Sequence, residues 1–304
     1  MGKGKRIILA VAAVLLISGF WYLNIKDHDY RIKLTKTTAP GTIYQHISKW
    51  GNALEKEGEL TVLKTTGQPF SHFEQTLKIG DSLIRMNWKL ESMNDSVTEI
   101  TIKILDLDHS LATRLKNLYT DPPLKNMFLS KATNFSQSLD FHLKKHKVKF
   151  VGDALIPEAN YAYISTESSL SKKAAEMIDK NGIILPWLKE KNIKVLSEPT
   201  VKVTSWDIEN DHISFDFMFP INKPDSLPFH PDIKFQKYGG NKGIKAIFNG
   251  NYTISDRAWF TLKAYAERNN IDVEYTPVEF FFNNPMEGGS ELNWKAEVYL
   301  PIKE

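Results

Sequence analysis

The C-terminal half of this chain repeats itself, and that repeat restricts its fold more than any other feature. "NIKVLSEPTVKV", starting at Asn192, recurs as "NIDVEYTPVEFF" at Asn270, so Ile193 and Pro199 match Ile271 and Pro277 at a spacing of 78. "SFDFMFPI", ending at Ile221, recurs as the strand-like "WKAEVYLPI" ending at Ile302, with Pro220 and Pro301 spaced by 81. Two copies that fold alike must bury their apolar faces together. The order predicts two strand-helix-strand-strand units joined in one sheet with pseudo-twofold symmetry.

Each copy has a helical segment before its Asn-Ile turn. In the second, "TISDRAWFTLKAYAERNN" pairs Thr253 with Asp256 as a cap and lines up Ala258, Trp259, Leu262, Tyr265 and Ala266 on one face. In the first, Gly182 and Pro186 interrupt the helical pattern, which predicts a broken or kinked helix. Alternation in the last strand puts Trp294, Ala296, Val298, Leu300 and Ile302 on one side and Lys295, Glu297 and Tyr299 on the other. The helices should cover the first side and leave Glu297 and Tyr299 opposite. A solvated sheet face is the commoner meaning of such a polar side.

At the other end of the chain, "IILAVAAVLLISGFWYLNI" runs from Ile7 to Ile25 without a charge. At 1.5 Å rise per residue such a helix spans roughly the hydrocarbon core of a bilayer. It passes through Trp21 and Tyr22, aromatics suited to a membrane interface, and shows no A-x-A cleavage pattern, so an uncleaved anchor is expected over a signal peptide. The short basic leader with Lys3, Lys5 and Arg6 predicts a cytoplasmic N-terminus and a body outside a bacterial inner membrane.

The basic residues of that leader and Lys26 also account for the net charge of +3; from Asp27 onward 35 Lys and Arg face 36 Asp and Glu. A nearly neutral body without a basic stripe excludes nucleic acid as an expected partner. The absence of cysteine excludes disulfides, thiolate catalysis and cysteine-ligated zinc. His142 and His146 stand four apart in "HLKKH", but no third ligand accompanies them, so a solvated helix end is expected and no metal. "GGNKG" near Gly239 lacks the spacing of a phosphate loop, and no cofactor motif or nucleophile elbow occurs.

Between anchor and repeat, "YRIKLTKTTAP" reads as a strand and "GTIYQHISKWGNAL" as a helix. "GELTVLKTTG", "SHFEQTLKIGDSLIRMNWKLES" and "SVTEITIKILDLD" then read as strands. A long helix opens at "DPPL", with Leu124, Met127, Phe128, Ala132, Phe135, Leu139 and Leu143 at helical intervals. This order, with the "TTAPGTIYQHISKW" opening, resembles the SRPBCC (START-like, polyketide cyclase type) family over about Tyr30 to Lys147. The resemblance implies a helix-grip fold, a curved sheet wrapped on a long helix around an apolar cavity.

The repeat region, Val148 to Glu304, resembles the GyrI-like (AraC-type effector-binding) small-molecule domain. The resemblance rests on Gly250 and Tyr252 in a Gly-x-Tyr turn, Trp259, the run Glu279, Phe281 and Pro285, and the final Glu297 before Pro-Ile. Phe281 stands where the family commonly has tyrosine, and Asp216 occupies the repeat-equivalent position of Glu297. The resemblance implies a ligand cleft between the halves with a glutamate amid aromatic walls. Glu297 and Tyr299 are the first candidates, with Phe281, Tyr163, Trp187, Trp206, Trp259 and Asp216 as further wall residues; Phe215, Phe217 and Phe219 are expected in the core. A carboxylate beside aromatic faces suits a cationic or amphiphilic hydrophobic ligand.

The expected architecture is therefore α+β: an anchor over residues 1–28, a START-like domain over 29–147 and a duplicated β-α-β-β domain over 148–304. The leading functional reading is a membrane-tethered small-molecule-binding protein, a sensor or a sequestering protein. A hydrolase with Glu297 as general base is the alternative, and a protein-interaction module the third.

Overall fold

A computed structural model describes every residue except Met1, Glu57, Glu59, Asp121, Pro122, Pro224, Asp225 and Glu304, and the side chain of Lys3. Asp121 and Pro122, in the expected opening of the long helix, thus lie outside the described residues. The chain divides into two compact units, one of residues 1–36, 44–91 and 99–138, the other of 37–43, 92–98 and 139–304.

The first unit begins with helix α1 (Lys3–Phe20), which continues through a wider turn at Trp21–Ile25. Gly4–Ile25, 22 residues of mean hydropathy 2.1, is long and apolar enough to cross a membrane and is nowhere buried in protein. Its end is tied down by Arg114 of the short helix α3 (Ser110–Lys116), a helix with no strong sequence signal. Arg114 donates to the carbonyls of Leu23 (2.8 Å) and Lys26 (2.6 Å), groups that a helix end leaves without partners. The guanidinium also pairs with Asp29 at 2.7 Å, and both side chains are buried.

Five strands follow the order β1-β5-β4-β3-β2: β1 (Tyr30–Lys36), β2 (Thr61–Gln68), β3 (His72–Ile79), β4 (Ser82–Ser92) and β5 (Thr98–Asp106). Gly80, at φ 57°, supplies the left-handed turn residue between β3 and β4. Helix α2 (Pro40–Lys56) lies between β1 and β2 in sequence, and the long helix α4 (Pro123–Leu143) closes the unit. Phe128, Ala132 and Phe135 are its buried stripe, and Phe135 packs edge-on to Trp50 and Trp88. Between helix and sheet, among Ile32, Met86, Trp88, Ile102 and Phe135, about 10 Å³ remains open. That is the room of at most one water, so the apolar interior expected as a cavity is a packed core.

The second unit is built on eight strands in the order β10-β7-β9-β8-β12-β13-β11-β6. They are β6 (His146–Leu155), β7 (Ala159–Ser168), β8 (Thr200–Asp207), β9 (His212–Ile221), β10 (Lys234–Tyr238), β11 (Lys242–Gly250), β12 (Val278–Phe281) and β13 (Lys295–Pro301). Helix α5 (Lys173–Glu190) joins β7 to β8, and α6 (Asp256–Arg268) joins β11 to β12. After each helix an asparagine with positive φ, Asn192 at 55° and Asn270 at 54°, turns the chain. Each turn then leads into an isolated bridge, Val195 to Ile221 and Val273 to Ile302.

Two local expectations are corrected. Helix α5 runs unbroken through Pro186, so of the break or kink expected there the break does not occur. The proline ring conflicts with the carbonyl four residues back, which belongs to Gly182, an exposed glycine with open space about it that can absorb the shift. Thr253 and Asp256 do not form the cap before α6: the Asn251 side chain accepts from the Thr253 N–H at 2.9 Å, and Asp256 instead pairs with Arg257 at 2.7 Å. The buried stripe of α6 is as read, Ala258, Trp259, Leu262 and Ala266, with Tyr265 at its edge.

Candidate functional site

Strand register sorts the candidate residues onto opposite sides of the second sheet. Glu297 lies opposite Phe280 on β12 and Ile247 on β11, and Tyr299 opposite Lys245. On β9 and β7, Asp216 lies opposite Lys202 and Ser165, and Met218 opposite Tyr163. Because directly opposed residues point the same way, Glu297, Tyr299, Asp216 and Tyr163 share one face. Phe281, Trp206 and Trp259 belong to the helix-covered face, where Ala296, Val298 and Ile213 are wholly buried. Trp187, on α5, packs near His230 and Phe235 instead. The eight candidates therefore do not line one cleft.

On the open face the Glu297 carboxylate is already neutralised by the chain. Lys245 and Lys295 each donate to it at 2.7 Å, and the Tyr299 hydroxyl donates at 3.1 Å. Partial burial pushes its carboxyl upward, but the two lysines outweigh this and hold it below the ordinary glutamate value. A carboxylate so stabilised is a weak proton acceptor, which disfavours Glu297 as a general base. Asp216 has a looser set of partners: Ser165 donates at 2.7 Å, Gln236 at 3.4 Å, and Lys202 stands 3.9 Å away. Tyr299, expected in the ligand cleft, is only 2% exposed, packed edge-on to Phe280.

The covered face holds a carboxylate in a different setting. Glu279 of β12 points among Val298, Trp259 and the start of α5 with no exposure at all. Its Oε1 accepts from the Trp259 indole N–H at 2.8 Å, and its Oε2 accepts from the Lys173 ammonium at 2.6 Å. Lys173 also donates to Ser255 Oγ at 2.8 Å and lies 4.4 Å from the centre of the Trp259 ring. Trp206 closes the group, edge-on to Trp259 at 5.5 Å. Lys173 opens α5 and Ser255 immediately precedes α6, so the box joins the starts of these two helices. A cation at a helix start opposes the helix dipole, and an ion pair withdrawn from water pays desolvation on both charges. Glu279 offsets both costs for Lys173.

Neither member of that pair was among the sequence-derived site residues, although Glu279 belongs to the motif that carries the resemblance. A signal for Glu279 existed: it falls in phase with Phe281 on the apolar side of its strand, where its repeat counterpart is Val201. Lys173, one of two adjacent lysines in "SSLSKKAAEM", had none. The larger hollows of the unit lie away from both carboxylates. One of about 650 Å³ is bordered by Gly239, Glu274 and Lys303, and one of about 200 Å³ by Tyr161, Leu227 and Phe235. His142, expected at a solvated helix end, instead accepts from Arg257 at 3.1 Å beside buried His146. Among the described residues no cluster of three metal-ligating side chains occurs.

No protein-family model matches the chain, and no curated protein matches it. Among solved structures, it is similar to EcmrR in a cryo-EM complex with DNA, at 16% identity over 64% of this chain and 70% of that one, with a TM-score of 0.44. SAV2435 bound to tetraphenylphosphonium is similar at 8% identity over 52% and 93%, with a TM-score of 0.36. The di-domain ARO/CYC StfQ from the steffimycin biosynthetic pathway is similar at 9% identity over 90% and 85%, with a TM-score of 0.23. These likenesses are distant, and the functional argument rests on the residues of this chain.

Proposed function

We propose that this protein is a membrane-tethered binder of small organic molecules, and that its C-terminal unit recognises a positively charged group at Glu279 and Trp259. One observation carries the reading: a fully buried carboxylate holds a cation, the chain's own Lys173, against a tryptophan face, so a ligand's charge enters by displacing that ammonium. An unpaired buried carboxylate would be costly, so the box is stable only with a cation in it. The aromatic face adds attraction that survives the loss of water. The site thus moves from Glu297, the first candidate by sequence, to Glu279, while the ligand class inferred from a carboxylate beside aromatics is kept. The first unit is assigned no ligand, because only about 10 Å³ is open between its long helix and its sheet.

The architecture we propose with it is an anchor over residues 1–28, a START-like domain over 29–147 and a duplicated GyrI-like domain over 148–304. The duplication is supported by a strand order in which β10 and β6, β7 and β11, β9 and β13, and β8 and β12 occupy mirrored places. The matching Asn192 and Asn270 turns support it too. Tethering, with the body outside a bacterial inner membrane, is supported by the exposed apolar helix and its basic leader.

The test is a panel of shape-matched aromatic compounds, cationic and neutral, titrated against the full-length protein in detergent with tryptophan fluorescence as the readout. The expected result is selective quenching by the cationic members. Equal affinity for cationic and neutral partners would remove the carboxylate from recognition.

A further inference from the structure

Helix α3, in the first unit, turns its apolar side outward. Ser110, Arg114 and Asn117 stand at helical spacing on its inner side: Ser110 donates to Asp29 at 2.7 Å, Arg114 is buried on Asp29 and the carbonyls of Leu23 and Lys26, and Asn117 is half-buried. Leu111, Leu115 and Leu118 repeat that spacing one residue on, and they are 55%, 44% and 58% exposed. The turns run on past Lys116, with the Leu118 N–H donating to the Leu115 carbonyl at 3.1 Å, and Tyr119 beyond them is 80% exposed. A surface helix in water buries such a stripe and shows its polar side. The reverse arrangement calls for an apolar medium on the outer side.

Where α3 is fastened identifies that medium. The carbonyls that Arg114 holds, at Leu23 and Lys26, belong to the end of the exposed apolar helix Gly4–Ile25, so α3 lies against the point where that helix stops. Residues suited to a bilayer interface gather at the same point: Tyr22 has the Lys26 ammonium 4.7 Å over its ring, and it borders one hollow together with Arg31 and Lys125. We propose that the outer face of α3, formed by Leu111, Leu115, Leu118 and Tyr119, docks on the lipid surface, in the headgroup region of the leaflet where the anchor ends. This goes beyond the binding reading and rests only on its tethering half. Three leucines hold a bilayer weakly by themselves, but the anchor supplies an effective concentration that keeps them there. The anchor then tethers the first unit, and α3 fixes how that unit faces the membrane.

The chain has no cysteine, so a single introduced cysteine reports one position. Full-length Leu111→Cys, Leu115→Cys and Leu118→Cys, each carrying a small environment-sensitive fluorophore, are reconstituted in vesicles of phosphatidylcholine and phosphatidylglycerol. Quenching by lipid-attached nitroxides is compared with quenching by iodide in the water. All three side chains are exposed, so the labels displace no packed group. Leu63→Cys, on β2 at the opposite edge of the sheet from β1, is the control for water, and Leu15→Cys, within the apolar helix, is the control for lipid. The α3 labels are expected at a depth of about 5–10 Å in the headgroup and upper acyl region, quenched by the lipid nitroxides several-fold more than Leu63→Cys. Labels on α3 that iodide reaches as freely as Leu63→Cys overturn the proposal. Labels shielded from both quenchers show a second copy or another protein on this face, and overturn it too. The two readings fail separately. Lipid quenching at Leu15→Cys without any on α3 keeps the tether and removes the docking face, whereas lipid quenching on α3 without any at Leu15→Cys removes the tether and supports the docking face.

Discussion

At the scale of single residues, two glutamates on neighbouring strands show how surroundings decide what a carboxylate does. Glu297 keeps contact with solvent, so its pairs with Lys245 and Lys295 are screened, and Glu297→Gln is expected to cost at most about 1 kcal/mol in chemical denaturation. Lys173 and Glu279 are sealed, so Lys173→Met strands a buried charge and is expected to cost about 3–5 kcal/mol in the same assay. Comparable losses at the two sites would contradict the assignment of the buried box. His146 gives a pH signature. Burial first, and the neighbouring Arg257 second, push its imidazole down to about 4, with His142 and Asp256 favouring the protonated form. The unfolded chain binds that proton more readily, so stability is fully present above pH 6.5 and falls as pH drops toward 4, by about 3 kcal/mol in all. His28, also pushed down by burial, acts in the same direction. Denaturant midpoints between pH 7 and 4.5 check this: His146→Leu should flatten much of the slope, and an unchanged slope would show that His146 is not its source.

At the scale of elements, regular patterns were legible and compensated ones were not. The alternation of β13, the buried triplet Phe215, Phe217 and Phe219, and the α6 stripe all follow from periodicity. The break in α5 did not occur because Pro186 signals one on its own, whereas Gly182 at its i−4 position is exposed, with open space about it. The cap of α6 was misread because Asn251, two positions before Thr253, caps a separate short turn at Tyr252–Ile254, and the helix itself starts only at Asp256. Faces proved harder than strands: the register that separates Trp206 from Glu297 depends on a bulge between Val203 and Ser205, which no pattern in "VKVTSW" announces. Arg114 was invisible for a different reason, since its partners at Leu23, Lys26 and Asp29 are remote in sequence. A chain starting at Asp27 lacks those carbonyls, and it is expected to be less stable than one starting at Phe20 by about 1–3 kcal/mol. Equal midpoints for the two chains in denaturant would show that Arg114 does not depend on the helix end.

At the scale of the whole molecule, the compact units do not follow the chain order. Residues 37–43 and 92–98 join the C-terminal unit, where a Cβ on Gly41 would come within 2.5 Å of the Phe260 ring and Arg268 pairs with Asp95. A fragment starting at Val148 uncovers Phe260, which is 1% exposed in the full chain, and is expected to melt well below the corresponding transition of the longer protein. The strands of the second unit were readable as one sheet, and the element order of the first as a sheet with a closing helix. What the sequence could not reveal was that the first interior is full and that the second carries its own cation. The central claim is that Glu279, and not Glu297, recognises the charge. It is tested most directly by titrating benzylammonium into wild type, Glu279→Gln and Glu297→Gln in parallel. The expected result is a loss of tenfold or more for Glu279→Gln alone, a hydrogen-bonded charge being worth about 1.5–3 kcal/mol. A loss confined to Glu297→Gln would contradict the account and return the site to the open face of the sheet.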